Sequence, residues 1–228
     1  LRRQRQMCIR DSSRPVAVTY NVSEDDPDVT IFVGTNGGTL QAIDASTGQE
    51  LFAVYPEATL PIQLLLAENE STIEHPYGID GAIVPWVYDY LADGINDSED
   101  FVKLFFGMRR GGRNYYAMDV TDRSAPRMDW VIEGGTTPGF GELGQSWGTP
   151  IVGRVQVGDE APRDVLFISG GYDESKDDET VREDDAMGRA VYIVDARTGE
   201  KIWSASPAST SDSAYGYNQQ FTDMRYSI

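Results

Sequence analysis

The chain has 228 residues, of which 37 are acidic and 19 are basic, so its formal net charge is −18. Such an acidic surface repels phosphate groups, which argues against binding to nucleic acids and to anionic membranes. No apolar run reaches the roughly 18 residues that a membrane-spanning helix needs. The single cysteine, Cys8, excludes an internal disulfide, and the 23 glycines indicate a globular fold with many tight turns.

The first residues differ from the rest of the chain. Residues 1–12 carry four of the five arginines that precede Val16, and they also carry Cys8. We therefore interpret residues 1–13 as a leader that is either non-native or a disordered basic tail. The predicted fold occupies residues 14–228.

A unit of about 75 residues occurs three times in this region. In each copy a β-rich run ends in glycine, a loop follows, and a second run ends in an aspartate, which is Asp44, Asp119 or Asp195. Another short apolar run precedes the second and third copies, at residues 82–88 and 149–157, which gives four strands for each unit. Four-stranded units at a near-constant period are typical of β-propeller blades.

The sequence thus predicts an all-β fold: a partial β-propeller of about three four-stranded blades in an incomplete ring, similar to that of quinoprotein dehydrogenases. Closed propellers have four or more blades. We place the blades at residues 14–75, 76–140 and 141–210, and residues 211–228 begin the next blade. A β-sandwich is the alternative, although it does not require the repeat. Helical periodicity is weak outside residues 60–70.

The turn after each repeated aspartate has a characteristic chemistry. An aspartate side chain can accept hydrogen bonds from the backbone two or three residues further on, and glycine provides a left-handed conformation. An aromatic residue then begins the return strand and offers a large apolar surface. The predicted structural residues are Asp44, Thr47, Gly48 and Phe52 in the first copy, Asp119, Thr121 and Trp130 in the second, and Asp195, Thr198, Gly199 and Trp203 in the third.

An acidic stretch over residues 173–185 is the candidate metal site. Carboxylate oxygens in a flexible loop suit Ca²⁺, but the stretch lacks the D-x-D-x-D-G order, and Lys176 and Arg182 interrupt it. A solvated loop is therefore favoured, with a calcium site as the alternative. The candidate ligands are Asp173, Asp177, Asp178, Asp184 and Asp185.

Other polar residues have structural interpretations, and we predict no catalytic and no cofactor-binding residue. His75 is expected to pack or to cap a turn, since a lone histidine is a poor transition-metal site. Arg109, Arg110 and Arg113 are expected to be exposed in a hairpin turn, with a partner-binding patch as the alternative. A second acidic loop is expected to be solvated, and it contains Asp93, Asp97, Glu99 and Asp100.

Several segments resemble the propeller domain of the PilY-type proteins of type IV pili. They are VGTNGGTLQAIDASTGQELF at 33–52, HPYGIDG at 75–81, GMRRGGRNYYAMDVTD at 107–122, GTPIVGRV at 148–155, GGYD at 170–173, AVYIVDARTG at 190–199 and FTDMRYSI at 221–228. The resemblance covers nearly everything after residue 28, and GGRNYYAMDVTD is its most specific part. The A-x-D-x-x-T-G turn is less specific, since it also occurs in quinoprotein dehydrogenases and in propeller lipoproteins of outer-membrane assembly.

The resemblance implies a non-enzymatic fragment of a type IV pilus biogenesis and tip-adhesin protein, which acts in pilus assembly, adhesion and twitching motility. It implies an extracytoplasmic location, at the fimbrium, cell surface or outer membrane of a Gram-negative bacterium. The implied partners are pilus subunits, minor pilins, and host or abiotic surfaces, without nucleic acid or direct membrane insertion. In the family a Ca²⁺ loop follows the strand that matches MRYSI, so calcium is expected beyond Ile228 and no cofactor is expected in this chain.

Two other functions are open at this point. A pyrroloquinoline-quinone dehydrogenase shares the propeller and its turn, but its chemistry needs a closed ring around the cofactor, a Ca²⁺ ion and a catalytic aspartate. Many such enzymes also have a vicinal cysteine pair, which this sequence lacks. The other alternative is a scaffold lipoprotein of outer-membrane assembly, and a lipobox cysteine upstream in the parent gene would favour it.

Overall fold

The computed structural model describes residues 13–68, 76–156, 158–177, 181, 183–207 and 219–228, and β-strands dominate them. Residues 1–12 of the predicted leader, which include Cys8, lie outside the described residues, as do His75, Asp178 and Arg182. The strands are β1 (Val16–Thr19), β2 (Val29–Gly34), β3 (Leu40–Asp44), β4 (Glu50–Val54), β5 (Ile83–Tyr88), β6 (Phe101–Gly107), β7 (Tyr115–Asp119), β8 (Arg127–Ile132), β9 (Ile151–Val155), β10 (Arg163–Ser169), β11 (Val191–Asp195), β12 (Lys201–Ser206) and β13 (Gln219–Gln220).

The strands form three sheets that follow the order of the chain. Sheet 1 contains β1 to β4, sheet 2 contains β5 to β8, and sheet 3 contains β9 to β12, each with antiparallel neighbours. Strand β13 extends sheet 3 by pairing in parallel with β12. The repeat is visible in detail, because the third and fourth strands of every sheet share one register shift, between Ala42 and Ile43, Ala117 and Met118, and Ile193 and Val194.

Sheet 2 lies between the other two sheets and buries both of its faces. Alternate residues of a strand point to opposite faces, and β6 is buried along its whole length. Leu104 and Phe106 pack with sheet 1 residues such as Phe32, whereas Phe105 packs with sheet 3 residues such as Leu166. Consecutive four-stranded sheets that pack face to face are propeller blades, so the prediction of an all-β partial propeller is confirmed.

Trp130 on β8 joins sheet 2 to sheet 3. Its side chain is 8% exposed, and its ring stacks on Phe105 with the centroids 5.9 Å apart. Its Nε1–H donates to the carbonyl oxygen of Ala196 at 3.2 Å. Gly199 lies so close that a Cβ there would approach the ring to 2.8 Å. The aromatic residue of one blade therefore packs on the aspartate turn of the next.

Arg123 and Tyr20 join sheet 2 to sheet 1. The Arg123 guanidinium lies 4.1 Å above the Tyr20 ring and donates to a carboxylate oxygen of Asp28 at 2.6 Å. The Tyr20 hydroxyl donates to the carbonyl oxygen of Val120 at 2.8 Å. Burial of this hydroxyl raises the pKa of Tyr20 well above its usual value of about 10, so the phenol stays protonated even in moderately alkaline solution.

Helix α1 (Leu60–Glu68) follows β4, in the one region where the sequence shows helical periodicity. The residue that precedes it, Thr59, donates its hydroxyl to the carbonyl oxygen of Gly38 at 2.8 Å, in the loop between β2 and β3. Within the described residues, α1 and the other helical turns are too short or too polar to cross a bilayer.

Candidate functional site

The strands of the three sheets have two ends, and the loops at each end form a surface with its own chemistry. We call these two surfaces edges. Because neighbouring strands alternate in direction, the turns that follow β3, β7 and β11 lie at one edge, together with the loop between β5 and β6. We call this the aspartate edge. The segments that precede β5 and β9 and the loops that follow β6 and β10 lie at the opposite edge, which we call the arginine edge.

The repeated aspartates cap the turns of the aspartate edge. Oδ1 of Asp44 accepts hydrogen bonds from the backbone N–H groups of Ser46 at 2.9 Å and Thr47 at 2.7 Å. The Ser46 hydroxyl also donates to this oxygen and makes the largest contribution to a pKa of about 2 for Asp44. Gly48 closes the turn with a φ of 71°. Corresponding bonds run from Thr121 to Asp119 at 3.0 Å and from Arg197 and Thr198 to Asp195 at 2.9 and 3.0 Å, with Gly199 at a φ of 73°.

The acidic loop between β5 and β6 brings carboxylates together at the same edge. Oxygens of Asp89, Asp93 and Asp100 lie within 4.8 Å of one another. Burial, together with the charge of Asp93, raises the pKa of Asp97. The loop also satisfies its own charges, because the Asp100 carboxylate accepts from three backbone N–H groups, those of Tyr90 at 2.8 Å, Asn96 at 3.0 Å and Asp97 at 2.7 Å.

The candidate calcium ligands of residues 173–185 have separate hydrogen-bond partners. Asp173 is buried, and Oδ2 accepts from the backbone N–H groups of Ala186 at 2.6 Å and Met187 at 3.1 Å. Burial acts to raise the pKa of Asp173, but these bonds and those from Ser175 outweigh it, so the pKa is lowered. The other described candidates have partners of their own or face solvent: Asp177 accepts from the Tyr172 hydroxyl, Asp185 accepts from the backbone of Ser227 at 2.6 Å, and Asp184 is exposed.

At the arginine edge, two adjacent arginines lie on aromatic rings. The turn Arg109–Gly111 follows β6. The guanidinium carbon of Arg109 is 4.3 Å from the centre of the Trp147 ring, and that of Arg110 is 5.5 Å from the same ring and 5.3 Å from the Tyr77 ring. Arg110 is exposed and Arg109 is half-buried. The third predicted arginine, Arg113, forms an ion pair with Glu174 at 2.8 Å.

The aromatic residues of this edge are absent from the sequence-based predictions. Tyr77 and Trp147 come from different blades, and each precedes a glycine, Gly78 or Gly148, shortly before the first strand of its sheet. The shared position of these two dipeptides is the signal that could have identified them. Their contacts with the arginines could not be read from the sequence, because Arg109 and Trp147 are brought together only by blade packing.

Comparison with known proteins identifies relatives of the sequence, although no protein-family model matches the chain. A "Type IV pilus biogenesis factor PilY1 homolog" from Xylella fastidiosa is 28% identical over 205 residues, which cover 87% of this chain and 16% of that protein. "Type IV pilus biogenesis factor PilY1" from Pseudomonas aeruginosa is 28% identical over 170 residues, which cover 74% of this chain and 13% of that protein. The chain therefore matches only about a sixth, or less, of the length of these relatives.

A solved structure shows the same fold. The crystal structure of the P. aeruginosa PilY1 C-terminal domain matches with a TM-score of 0.52 and 24% identity, over 82% of this chain and 31% of that chain. Together with the three packed blades, this match defines the class of the molecule, which is part of a β-propeller domain. The sequence matches are to PilY1-type proteins, and the chain has a fold similar to part of the PilY1 C-terminal domain.

Proposed function

We propose that this chain is a non-enzymatic, extracytoplasmic propeller module of a type IV pilus biogenesis protein, which acts in pilus assembly, adhesion and twitching motility. The proposal depends on one observation: 87% of the chain aligns, at 28% identity, with a protein named "Type IV pilus biogenesis factor PilY1 homolog". The proposed partners are pilus subunits and minor pilins, and host or abiotic surfaces where the assembled pilus makes contact.

The non-enzymatic part of the proposal is supported by how the polar groups of both edges are used. The turn aspartates accept backbone hydrogen bonds within their own loops, as Asp44 and Asp195 do. Asp173 is similarly occupied by the backbone of Ala186 and Met187. Such bonds stabilise turns and loops, which gives these carboxylates a structural role. We further propose that calcium binding belongs to sequence that would follow Ile228.

The test is an in-frame deletion of the codons for residues 14–228 in the bacterium that encodes the chain. We expect fewer surface pili by electron microscopy and smaller twitching zones, with both restored by the intact gene. A complementing gene that carries Trp130→Ala should restore less than one that carries Asp184→Ala, because Trp130 joins two blades whereas Asp184 is exposed. Normal piliation and normal twitching in the deletion strain would refute the proposal.

A further inference from the structure

We propose that the arginine edge between sheets 2 and 3 binds a carboxylate of an acidic peptide segment. A cavity of about 590 Å³ lies there, which we call the arginine pocket, and it is lined by Tyr77, Arg110, Gln145, Trp147, Tyr172 and Asp177. The inference concerns a specific binding site and does not depend on the pilus function proposed above.

Arg110 is the group that would bind the carboxylate. Its guanidinium donates to the Tyr77 hydroxyl at 3.1 Å, and within the described residues it forms no ion pair with a carboxylate. A guanidinium has five N–H donors in a planar fork, and this shape matches a carboxylate in a two-point contact. The nearby Arg113 differs, because Glu174 already neutralises it at 2.8 Å. Acidic residues outnumber basic ones in this chain 37 to 19, so an arginine without an acidic partner is notable.

Arg109 has a supporting role in the pocket. Its guanidinium lies 3.9 Å from Oδ2 of Asp80, a carboxylate that is 1% exposed and that accepts no hydrogen bond within the described residues. A buried charge of this kind requires a compensating charge nearby, and Arg109 provides it. The charge of Arg109 is therefore balanced inside the protein, whereas that of Arg110 remains available at the surface.

The aromatic rings orient the arginines and do not present a free stacking surface. Arg109 lies over the Trp147 ring at 4.3 Å, and Arg110 lies near the same ring and near Tyr77. Arginine stacked on an aromatic ring keeps its N–H donors directed outward along the plane of the guanidinium. Because the Trp147 ring already carries a guanidinium, we favour recognition of a carboxylate over the stacking of a sugar or an aromatic ligand.

The loop that carries the arginines is held in position before any ligand binds. Oγ of Ser146 accepts from the backbone N–H groups of Met108 at 2.8 Å and Arg109 at 3.2 Å. Arg109 has a φ of 53°, a conformation that non-glycine residues rarely adopt and that surrounding contacts must maintain. At Gly111 a Cβ would come within 1.9 Å of the Gly78 carbonyl oxygen, so the loop fits closely against the segment that precedes β5. A pre-organised loop loses less entropy when a ligand binds.

Asp177 gives the pocket a second charge of opposite sign. Its carboxylate accepts a hydrogen bond from the Tyr172 hydroxyl, and the pair lies on the same pocket wall. An acidic ligand would be repelled by this charge, whereas a cationic ligand would be attracted by it. Neutralising Asp177 should thus have opposite effects on the two kinds of ligand.

The experiment measures fluorescence anisotropy of a dye-labelled hexapeptide of glutamate and glycine, titrated with the full chain at 0.15 M salt. We expect saturable binding that Arg110→Gln weakens by about ten-fold or more, the size expected for a charge-assisted hydrogen bond. Arg154→Gln is the matched control, because Arg154 lies on β9 and already faces Asp164 at 3.7 Å. The affinity of this variant for the peptide should stay within about two-fold of the wild-type value. Asp177→Asn should bind the peptide more tightly. Circular dichroism of each variant establishes that it is folded.

Four results would overturn the inference: equal affinity for a glutamine–glycine peptide, equal affinity of the Arg110→Gln and Arg154→Gln proteins, weaker binding by Asp177→Asn, or stronger binding to an oligogalacturonate than to the acidic peptide. If Arg110→Gln fails to fold, Arg110→Lys keeps the charge but removes the planar fork, and it should weaken peptide binding while leaving the salt dependence in place.

Discussion

Replacement of Trp130 by alanine should show how much the contact between sheets 2 and 3 contributes to the stability of the protein. The ring is 8% exposed, stacks on Phe105 and donates to the carbonyl oxygen of Ala196 in the next blade. Removing a buried tryptophan side chain costs about 3–5 kcal/mol through lost transfer free energy and the cavity that remains. In a domain of this size each 1 kcal/mol corresponds to about 2–4 °C of melting temperature, so we expect a decrease of about 6–20 °C.

The matched control is Trp203, which occupies the same repeat position in sheet 3 but keeps part of its surface exposed. Trp203→Ala should cost about 1 kcal/mol, the typical effect of a point substitution. Urea unfolding followed by circular dichroism gives both free energies. The reasoning fails if Trp130→Ala is no less stable than Trp203→Ala, since the blade contact would then contribute little.

Three further predictions concern charged side chains. Ser46→Ala should raise the pKa of Asp44 from about 2 towards its usual value, because it removes the largest contribution to the low pKa. A carboxylate whose pKa is lowered by folding stabilises the protein above its unfolded pKa of about 3.9, and the stabilisation is lost as the pH falls through the folded pKa. If the NMR titration of Asp44 were the same in the Ser46→Ala variant and the wild type, the role of Ser46 would be contradicted. Asp173→Ala should lower the free energy of unfolding by about 1–3 kcal/mol, since the backbone N–H groups of Ser175, Ala186 and Met187 lose a buried charged acceptor. The exposed Asp184→Ala should change the urea midpoint little. Lys103→Met should cost about 3 kcal/mol at pH 7 by leaving two partly buried carboxylates without their lysine, and equal stability of the variant and the wild type would argue against the pairing.

The blade architecture could be predicted from the sequence because its signals are local and repeated. The apolar run over residues 82–88 corresponds to β5 (Ile83–Tyr88), and the run over 149–157 corresponds to β9 (Ile151–Val155). Alternation of buried and exposed residues, turn glycines and the repeated aspartates all indicate the same unit. The predicted strand ends differ from the observed ones by one or two residues, which reflects the weak sequence signal at strand ends.

The arginine pocket could not be predicted because it forms between blades. Arg110 and Trp147 are distant in sequence, and the sequence pattern of each blade contains only half of the site. The burial of Asp80 is also invisible locally, since HPYGIDG reads as an exposed polar turn. Sequence periodicity shows which face of a strand is buried, but the residues that meet across two packed sheets depend on how those sheets are placed.

The position of sheet 2 between its neighbours also bears on how this part of the chain would respond to tension. Sheet 2 shares a core with each neighbour, whereas sheets 1 and 3 are each joined to the described blades through one face. Release of sheet 2 would therefore require two hydrophobic interfaces to separate.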